Sequence, residues 1–156
     1  MLCKINITVK EYNGFPKLKI LWKKHKIWQQ DINKEGNQII EFNISDSLPG
    51  MLEIVHFGKN MKKDTLVEAN HIVHDKAIII NEISIDHIRL KNELFLFNFI
   101  TEDKQIIKKN NYLGFNGSFQ VDINSTDLYN WYIETSHQLF NSLEFDYNAF
   151  KKEIFA

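Results

Sequence analysis

The sequence contains one cysteine, Cys3, among 156 residues. A single cysteine cannot close an internal disulfide or supply a cysteine-based zinc cluster within one chain, so we expect the protein to fold in a reducing cytosol. The net charge of the chain is also close to zero, with a formal value of −1 at pH 7. A chain without a strong positive charge has no general attraction to phosphate backbones or anionic membranes, and we therefore expect no nucleic-acid partner.

Long apolar runs and catalytic signatures are absent from the sequence as well. No stretch approaches the roughly 18–20 apolar residues of a membrane span, and no charged-then-apolar leader opens the chain, which predicts a soluble protein without a membrane partner. The segment Gly114-Phe115-Asn116-Gly117 matches neither a Walker A loop nor a dinucleotide fingerprint. Because no nucleophile stands beside a recognisable base, the sequence favours a binding protein over an enzyme.

What the sequence does contain is a series of strand patterns. Apolar and polar residues alternate in "KINITVKEY" (4–12), "KLKILW" (17–22), "QIIEFNI" (38–44) and "MLEIVHF" (51–57). This period of two residues is typical of strands that are buried on one face. In "KAIIINEISIDHIRL" (76–90) the phase changes around Asn81-Glu82, which predicts a bulge or a break between two strands.

The spacing of these patterns predicts the fold class and the domain organisation. Many short strands joined by polar turns indicate an all-β, single-domain β-sandwich of jelly-roll type, which we assign to residues 1–136. The last residues follow a helical period instead. Apolar residues three or four positions apart are Phe140, Leu143, Tyr147, Phe150 and Ile154. We predict that residues 137–156 form a short helical segment packed on the same domain, with an irregular, aromatic-anchored tail as the alternative.

A polar segment, residues 56–90, carries acids, amides and four of the six histidines. Asp64, Glu68 and Asp75 offer carboxylate oxygens, which calcium prefers as ligands, and we predict these three residues as metal ligands with calcium as the cofactor. Their spacing is not that of an EF-hand. A solvated, turn-rich connection between strands is the alternative interpretation of this segment.

Aromatic and amide side chains near the end of the strand series are candidate ligand-binding residues. Tyr129, Trp131 and Tyr132 occur close together, and an aromatic ring offers a flat apolar face with a polar rim to a sugar or another planar ligand. Packing in the core is the alternative for these rings. Asn116 precedes Gly117 between apolar residues, which is typical of a hairpin turn, and we include Asn116 among the candidate ligand-binding residues.

The order of these motifs resembles a group of small β-sandwich proteins encoded by T4-like marine cyanophages. The resemblance extends over nearly the whole chain and implies a phage protein located in the host cytoplasm or in the virion, with another virion protein as its partner. The matching positions are Asp64-Thr65, Glu68, Asn70, Asp75-Lys76, Ile85-Asp86 and Gly114 to Gly117. The chain departs from the pattern at His71 and His87, where glycines are expected, and at Phe119, where tryptophan is usual.

The polar segment is also similar, more remotely, to calcium-dependent carbohydrate-binding modules with a jelly-roll fold. In those modules an acidic loop leads into an apolar strand beside the sugar site. This resemblance implies that Asp64 and Asp75 bind calcium and that the ligand of the chain is a carbohydrate.

The hypothesis that combines these features is a non-catalytic β-sandwich module that binds carbohydrate with calcium or associates with a virion. One alternative is a small saccharide-acting hydrolase or lyase, since carboxylate pairs such as Asp122 with Glu134 also build glycosidase sites. The other alternative is a homo-oligomeric structural protein, in which exposed apolar patches pair with copies of the same chain.

Overall fold

Antiparallel strands dominate the computed structural model, which describes the backbone of residues 1–155 and the side chains of residues 1–142. The strands are β1 (Leu2–Lys10), β2 (Lys17–Trp22), β3 (His25–Gln29), β4 (Gly36–Asn43), β5 (Gly50–Phe57), β6 (Thr65–Glu68), β7 (His71–Asp75), β8 (Ala77–Ile85), β9 (Ile88–Leu90), β10 (Asn98–Thr101), β11 (Ile106–Lys108), β12 (Tyr112–Leu113) and β13 (Gly117–Ile123). A 3-10 helix spans Asn92–Leu96, and helix α1 spans Leu128–Phe155. The predicted β-sandwich with a helical C-terminal segment is confirmed.

Two antiparallel sheets form the body of the fold. The first sheet has five strands in the order β12-β8-β1-β4, with β9 also paired to β8, and the second has six strands in the order β11-β10-β13-β5-β2-β3. A third sheet consists of β6 and β7 alone. The polar segment therefore contains a hairpin, whose turn residues Ala69 and Asn70 have positive φ angles of 51° and 65°, as a two-residue type I′ turn requires.

The alternation in the sequence becomes the core between the two sheets. Ile5 and Ile7 of β1 and Ile20 of β2 are fully buried, and they belong to one hydrophobic cluster with members from both sheets. Phe99 and Phe119 have the largest of the fully buried side chains. Removing the apolar surface of such strands from water is the main favourable contribution to folding. Because the apolar side chains face inward, the opposite face of each sheet carries the side chains that can contact a ligand.

The predicted irregularity near Asn81 is a β-bulge. The pairing of β1 with β8 shifts between Asn6, which faces Glu82, and Ile7, which faces Ile80, so that Asn81 is the extra residue. The Asn81 amide donates a hydrogen bond of 2.8 Å to Thr8 Oγ1. This bond links the side chain of the bulged residue to the neighbouring strand β1.

Helix α1 begins upstream of the predicted segment 137–156 and has 28 residues. Asp127 caps its first turn, because Asp127 Oδ1 accepts a hydrogen bond of 2.9 Å from the backbone N–H of Asn130. Phe140 is 65% exposed, and the other side chains of the predicted apolar face, from position 143 onward, lie outside the described residues. No helix within residues 1–155 combines the length and the apolarity that are needed to cross a bilayer.

Candidate functional site

The outward face of the six-stranded sheet carries an open groove of about 350 Å³. Strand pairing places polar side chains next to one another across this face. Asn98 of β10 pairs with Gln120 of β13, Gln120 pairs with Glu53 of β5, and Glu53 pairs with Leu21 of β2. The groove therefore has the Gln120 amide and the Glu53 carboxylate side by side on its floor, and Asn98 extends this row into a neighbouring cavity.

Glu53 is the unusual member of this row. It is only 3% exposed although it lies on the outward side of its strand, opposite to the fully buried Leu52 and Ile54. Its Oε1 accepts hydrogen bonds from Lys24 Nζ at 2.5 Å and from Gln120 Nε2 at 3.3 Å. Neither of these bonds uses Oε2. Two such donors offset part of the cost of burying a carboxylate.

The turn that carries Lys24 is conformationally costly. Lys23 and Lys24 connect β2 to β3 with positive φ angles of 49° and 69°. Asn and Gly are the residues that adopt this conformation most easily, so two lysines here give up stability. What the turn gains is the position of the Lys24 ammonium group over Glu53. Backbone strain that positions a charged side chain in a groove is a feature that recurs at binding sites.

The walls of the groove combine apolar and charged side chains. Leu21, Val55, Phe57 and Ile100 provide the apolar contribution. The Phe57 ring lies 5.2 Å from Lys19 Nζ. Three lysines and two glutamates line the groove in total: Lys19, Lys24, Lys104, Glu53 and Glu102. The site can thus offer hydrogen bonds of both kinds together with an aromatic surface.

A second cavity of about 300 Å³ adjoins the groove, and Gln120 lines both. It lies where the first turns of α1 approach the sheet, and its lining includes Asp122, Glu134 and Gln138. The two carboxylates that the sequence offered as a candidate glycosidase pair therefore line one cavity. The two residues come together because the chain turns between β13 and α1, where Asp127 caps the helix.

The predicted ligand-binding residues do not form one site. Trp131 is 3% exposed, its indole N–H donates a hydrogen bond of 3.0 Å to Asp122 O, and its ring stacks on Phe97. It packs in the core against Phe97 and also lines the second cavity, so its role in ligand binding stays a prediction. Tyr129 is 66% exposed and Tyr132 is half-buried against the hydrophobic cluster.

Asn116, the fourth predicted ligand-binding residue, lies at the opposite end of the groove from α1. Its amide is already engaged, since its Oδ1 accepts a hydrogen bond from Lys59 N at 2.9 Å and its Nδ2 donates one to Lys59 O at 2.8 Å. The predicted hairpin turn at Asn116-Gly117 is wrong, because β12 and β13 belong to different sheets. Gly117 is instead required by a close approach, since a Cβ there would lie 2.5 Å from Ile100 O.

The predicted metal ligands are placed in a buried charged cluster, with one exception. Asp75 is 3% exposed, and its carboxylate accepts hydrogen bonds from Lys59 Nζ, from Thr65 Oγ1 at 2.7 Å and from Tyr112 OH at 2.5 Å. Burial alone raises the pKa of Asp75, but these hydrogen bonds outweigh it and hold the pKa below its usual value. Glu68 is exposed on β6 and does not join the cluster.

Asp64 is the second carboxylate of this cluster and is 6% exposed. Its Oδ2 accepts a hydrogen bond of 2.8 Å from Asn60 N and lies 3.1 Å from Lys76 Nζ. Burial raises its pKa, and the bonds from Asn60 and Lys76 lower the pKa to a net value below the usual one. Asp64 and Asp75, two of the three predicted ligands, thus already face a lysine ammonium group.

This donor set does not fit a calcium ion. Calcium takes about six to eight oxygen ligands, and the carboxylates supply the negative charge that holds it. Here the ammonium groups of Lys59 and Lys76 pair with Asp75 Oδ1 and Asp64 Oδ2, so the negative charge of both carboxylates is already balanced within the chain. Within the described residues, no group of three or more His, Cys, Asp or Glu side chains is arranged to hold a metal ion.

Comparison with known proteins shows the fold. No protein-family model matches the sequence, and no curated protein matches it. The chain is similar to the solved structure described as "vCBM60 in complex with galactobiose", with a TM-score of 0.56 and 10% sequence identity, over 78% of this chain and 98% of that chain. It is also similar to the selenomethionine form of vCBM60, described with a circular permutation that links two families of calcium-dependent carbohydrate binding modules. That likeness has a TM-score of 0.50 and 10% identity, over 78% of this chain and 89% of that chain.

Proposed function

We propose that this chain is a carbohydrate-binding module that holds an oligosaccharide in the groove on the six-stranded sheet. The observation that carries the proposal is Glu53, a nearly buried carboxylate on the groove floor that is held by Gln120 and Lys24. Sugar hydroxyls both donate and accept hydrogen bonds, so a row of carboxylate and amide groups suits them. The groove volume of about 350 Å³ falls in the range of small-ligand sites.

The apolar wall supports the same ligand class. A pyranose ring has C–H faces that pack on aromatic and aliphatic surfaces, and Phe57 and Val55 offer such a surface beside Glu53. The fold gives independent support, since the similar vCBM60 structure is described as a complex with galactobiose. The proposal assigns no calcium ion to Asp64 or Asp75, because each of these carboxylates is already paired with a lysine of the buried cluster.

Replacing Glu53 by glutamine should weaken oligosaccharide binding by roughly 10- to 100-fold, because a hydrogen bond to a charged group contributes about 1.5–3 kcal/mol. The substitution keeps the size of the side chain, removes its charge and replaces one acceptor oxygen by an NH2 donor. Isothermal titration calorimetry with galacto-, xylo- and cello-oligosaccharides measures the effect. The matched control is Glu41→Gln, an exposed position on β4 of the other sheet. Wild-type protein that binds none of these sugars at millimolar concentration would refute the proposal, as would a Glu53→Gln protein that binds with unchanged affinity.

The charge of the lining predicts a preference among sugars. Three lysines and two glutamates line the groove. Oligosaccharides that contain uronic acids should therefore bind several-fold more tightly than neutral ones of equal length, and this advantage should shrink as salt rises from about 50 mM to about 500 mM. Lys104→Gln should reduce the advantage, and Lys4→Gln on β1 of the first sheet should leave it unchanged. Equal affinity for acidic and neutral sugars at low salt would contradict this preference.

A second candidate function rests on the adjoining cavity. Asp122 and Glu134 line it together, next to the groove, and a carboxylate pair of suitable separation hydrolyses glycosidic bonds. The binding proposal expects oligosaccharides to be recovered intact after long incubation with the protein. Reducing ends that appear with the wild type and disappear with Glu134→Gln would establish the hydrolase instead.

Association with a virion and self-association are two further hypotheses, and each can be tested separately from carbohydrate binding. The first predicts that the chain is found by mass spectrometry in purified phage particles, and its consistent absence would leave a binding protein expressed during infection. The second predicts an oligomer in solution, which light scattering at high protein concentration measures directly. A monomer under those conditions would exclude the homo-oligomeric alternative.

A further inference from the structure

Lys59 is the most deeply buried charged side chain of the cluster, with 0% of its side chain exposed. A lysine is almost never fully buried unless its charge is paired, because removing an ammonium group from water is expensive. Its Nζ donates hydrogen bonds to Asp75 Oδ1 and to Gly114 O, the second at 2.5 Å. The oxygens of one carboxylate and one backbone carbonyl thus converge on this single cation.

These oxygens come from segments that are distant in sequence. Lys59 follows β5, Asp75 ends β7, and Gly114 follows β12. Tyr112 and Thr65 donate to the same Asp75 carboxylate and orient it. Joining a carboxylate and a carbonyl from separate segments around one positive charge is what a structural calcium ion does in a loop. Here the positive charge is covalently part of the chain.

Lys76 repeats the arrangement at the other carboxylate. Its side chain is 10% exposed, and its Nζ lies 3.1 Å from Asp64 Oδ2. Its backbone N–H donates a hydrogen bond of 2.9 Å to Asp64 O, which ties the residue between β7 and β8 to the residue before β6. The two predicted metal ligands in the cluster, Asp64 and Asp75, are therefore both paired with ammonium groups of the chain itself.

We propose that Lys59 and Lys76 act as built-in cations that hold the 59–76 segment in place of a metal, so that the chain folds and stays folded independently of calcium. The proposal also defines a site. Removal of the Lys59 side chain leaves an oxygen-lined, negatively charged cavity whose ligand class is a small primary alkylammonium ion. This inference does not depend on carbohydrate binding.

The first test uses the wild-type protein. Its melting temperature should stay within about 1 °C in millimolar calcium and in EDTA, since a ligand stabilises a protein only by binding its folded state. A calcium-dependent rise that is lost in Asp64→Asn or Asp75→Asn would overturn the proposal and establish the predicted calcium site. The absence of a calcium-dependent shift is measured on the wild type alone, so this test does not depend on whether any variant folds.

The second test is chemical rescue. Lys59→Ala should lower the melting temperature by about 10 °C or more, because it leaves Asp75 buried without its cation. n-Propylammonium, which matches the atoms removed, should restore several degrees at about 100 mM. Tetramethylammonium lacks N–H donors and should not. The control is Lys62→Ala, an exposed lysine of the same segment, which should melt like the wild type and not respond to either ion.

Two outcomes of the rescue experiment would overturn the proposal. One is a Lys59→Ala protein with the wild-type melting temperature, and the other is an equal response to both ammonium ions. If Lys59→Ala does not fold, the double variant Lys59→Met with Asp75→Asn removes both charges and should fold again without responding to calcium. Failure of the double variant to regain any folding would also contradict the proposal, because the charge imbalance would then not be the cause.

Discussion

Asp75→Ala should lower the free energy of unfolding by roughly 3–5 kcal/mol, the range observed when one partner of a buried ion pair is removed. The substitution leaves the Lys59 ammonium group fully buried with only the Gly114 carbonyl oxygen as an acceptor. It also removes the acceptor of the Thr65 and Tyr112 hydroxyl groups. Because a domain of this size is typically stable by only about 5–15 kcal/mol, the loss removes a large part of the total. Urea unfolding at pH 7 measures it.

The matched control for this substitution is Asp31→Ala, at an exposed position of the same residue type. It should change the free energy of unfolding by no more than about 0.5 kcal/mol. Adding Lys59→Met to Asp75→Ala should recover part of the loss, since an apolar side chain in the cavity is less costly than an unpaired charge. A loss below about 1 kcal/mol in the single variant would show that the pair contributes no more than a surface ion pair.

The strands could be predicted from the sequence because a strand that is buried on one face has apolar residues at alternate positions. Ile5, Ile7 and Val9 are polar-flanked in the sequence and buried in the structure. The bulge at Asn81 was predictable for the same reason, since one extra residue inverts the phase. What alternation cannot show is which strands become neighbours, because pairing such as β5 with β13 joins residues far apart along the chain.

The start of α1 was not predictable from apolar spacing. Trp131 and Thr135 are the residues of its first turns that are buried, and a buried threonine does not contribute to a hydrophobic period. The usable signal was Asp127, a cap residue three positions before Asn130. Whether Trp131 faces a ligand or the core depended on Phe97, which the local sequence does not reveal.

The candidate site was predicted in part. Residue type indicated that Asp64 and Asp75 would face a cation, and both do, but the cations are lysines. Lys76 is adjacent to Asp75, yet it pairs with Asp64, while the partner of Asp75 is Lys59. Glu53 gave no signal, because an outward polar residue is normal in an alternating strand. Its carboxylate is covered by Gln120, from strand β13, and by Lys24, from the turn between β2 and β3.

His56 should make the protein lose stability on mild acidification. It is fully buried at the end of β5, its Nδ1 contacts Phe115 O at 3.1 Å, and its Nε2 has no hydrogen-bond partner among the described residues. Burial, together with the nearby Lys59 ammonium group, lowers the pKa of His56 from 6.5 to about 4. The folded protein therefore keeps this imidazole neutral under conditions in which the unfolded chain would bind a proton.

The consequence is a defined pH window. As the pH falls below 6.5, His56 becomes protonated in the unfolded state but stays neutral in the folded state until about pH 4. The free energy of unfolding should therefore fall by roughly 3 kcal/mol across this interval because of this one group. Asp75, with its lowered pKa, contributes stability that is lost only at more acidic pH, as the pH falls below the ordinary aspartate value toward its folded value. Urea unfolding at several pH values separates the two. His56→Leu should flatten the profile between pH 6.5 and 4, whereas His25→Leu, at an exposed position, should keep the wild-type slope. Parallel profiles for the wild type and His56→Leu across that interval would show that His56 is not the group that makes the fold sensitive to acid.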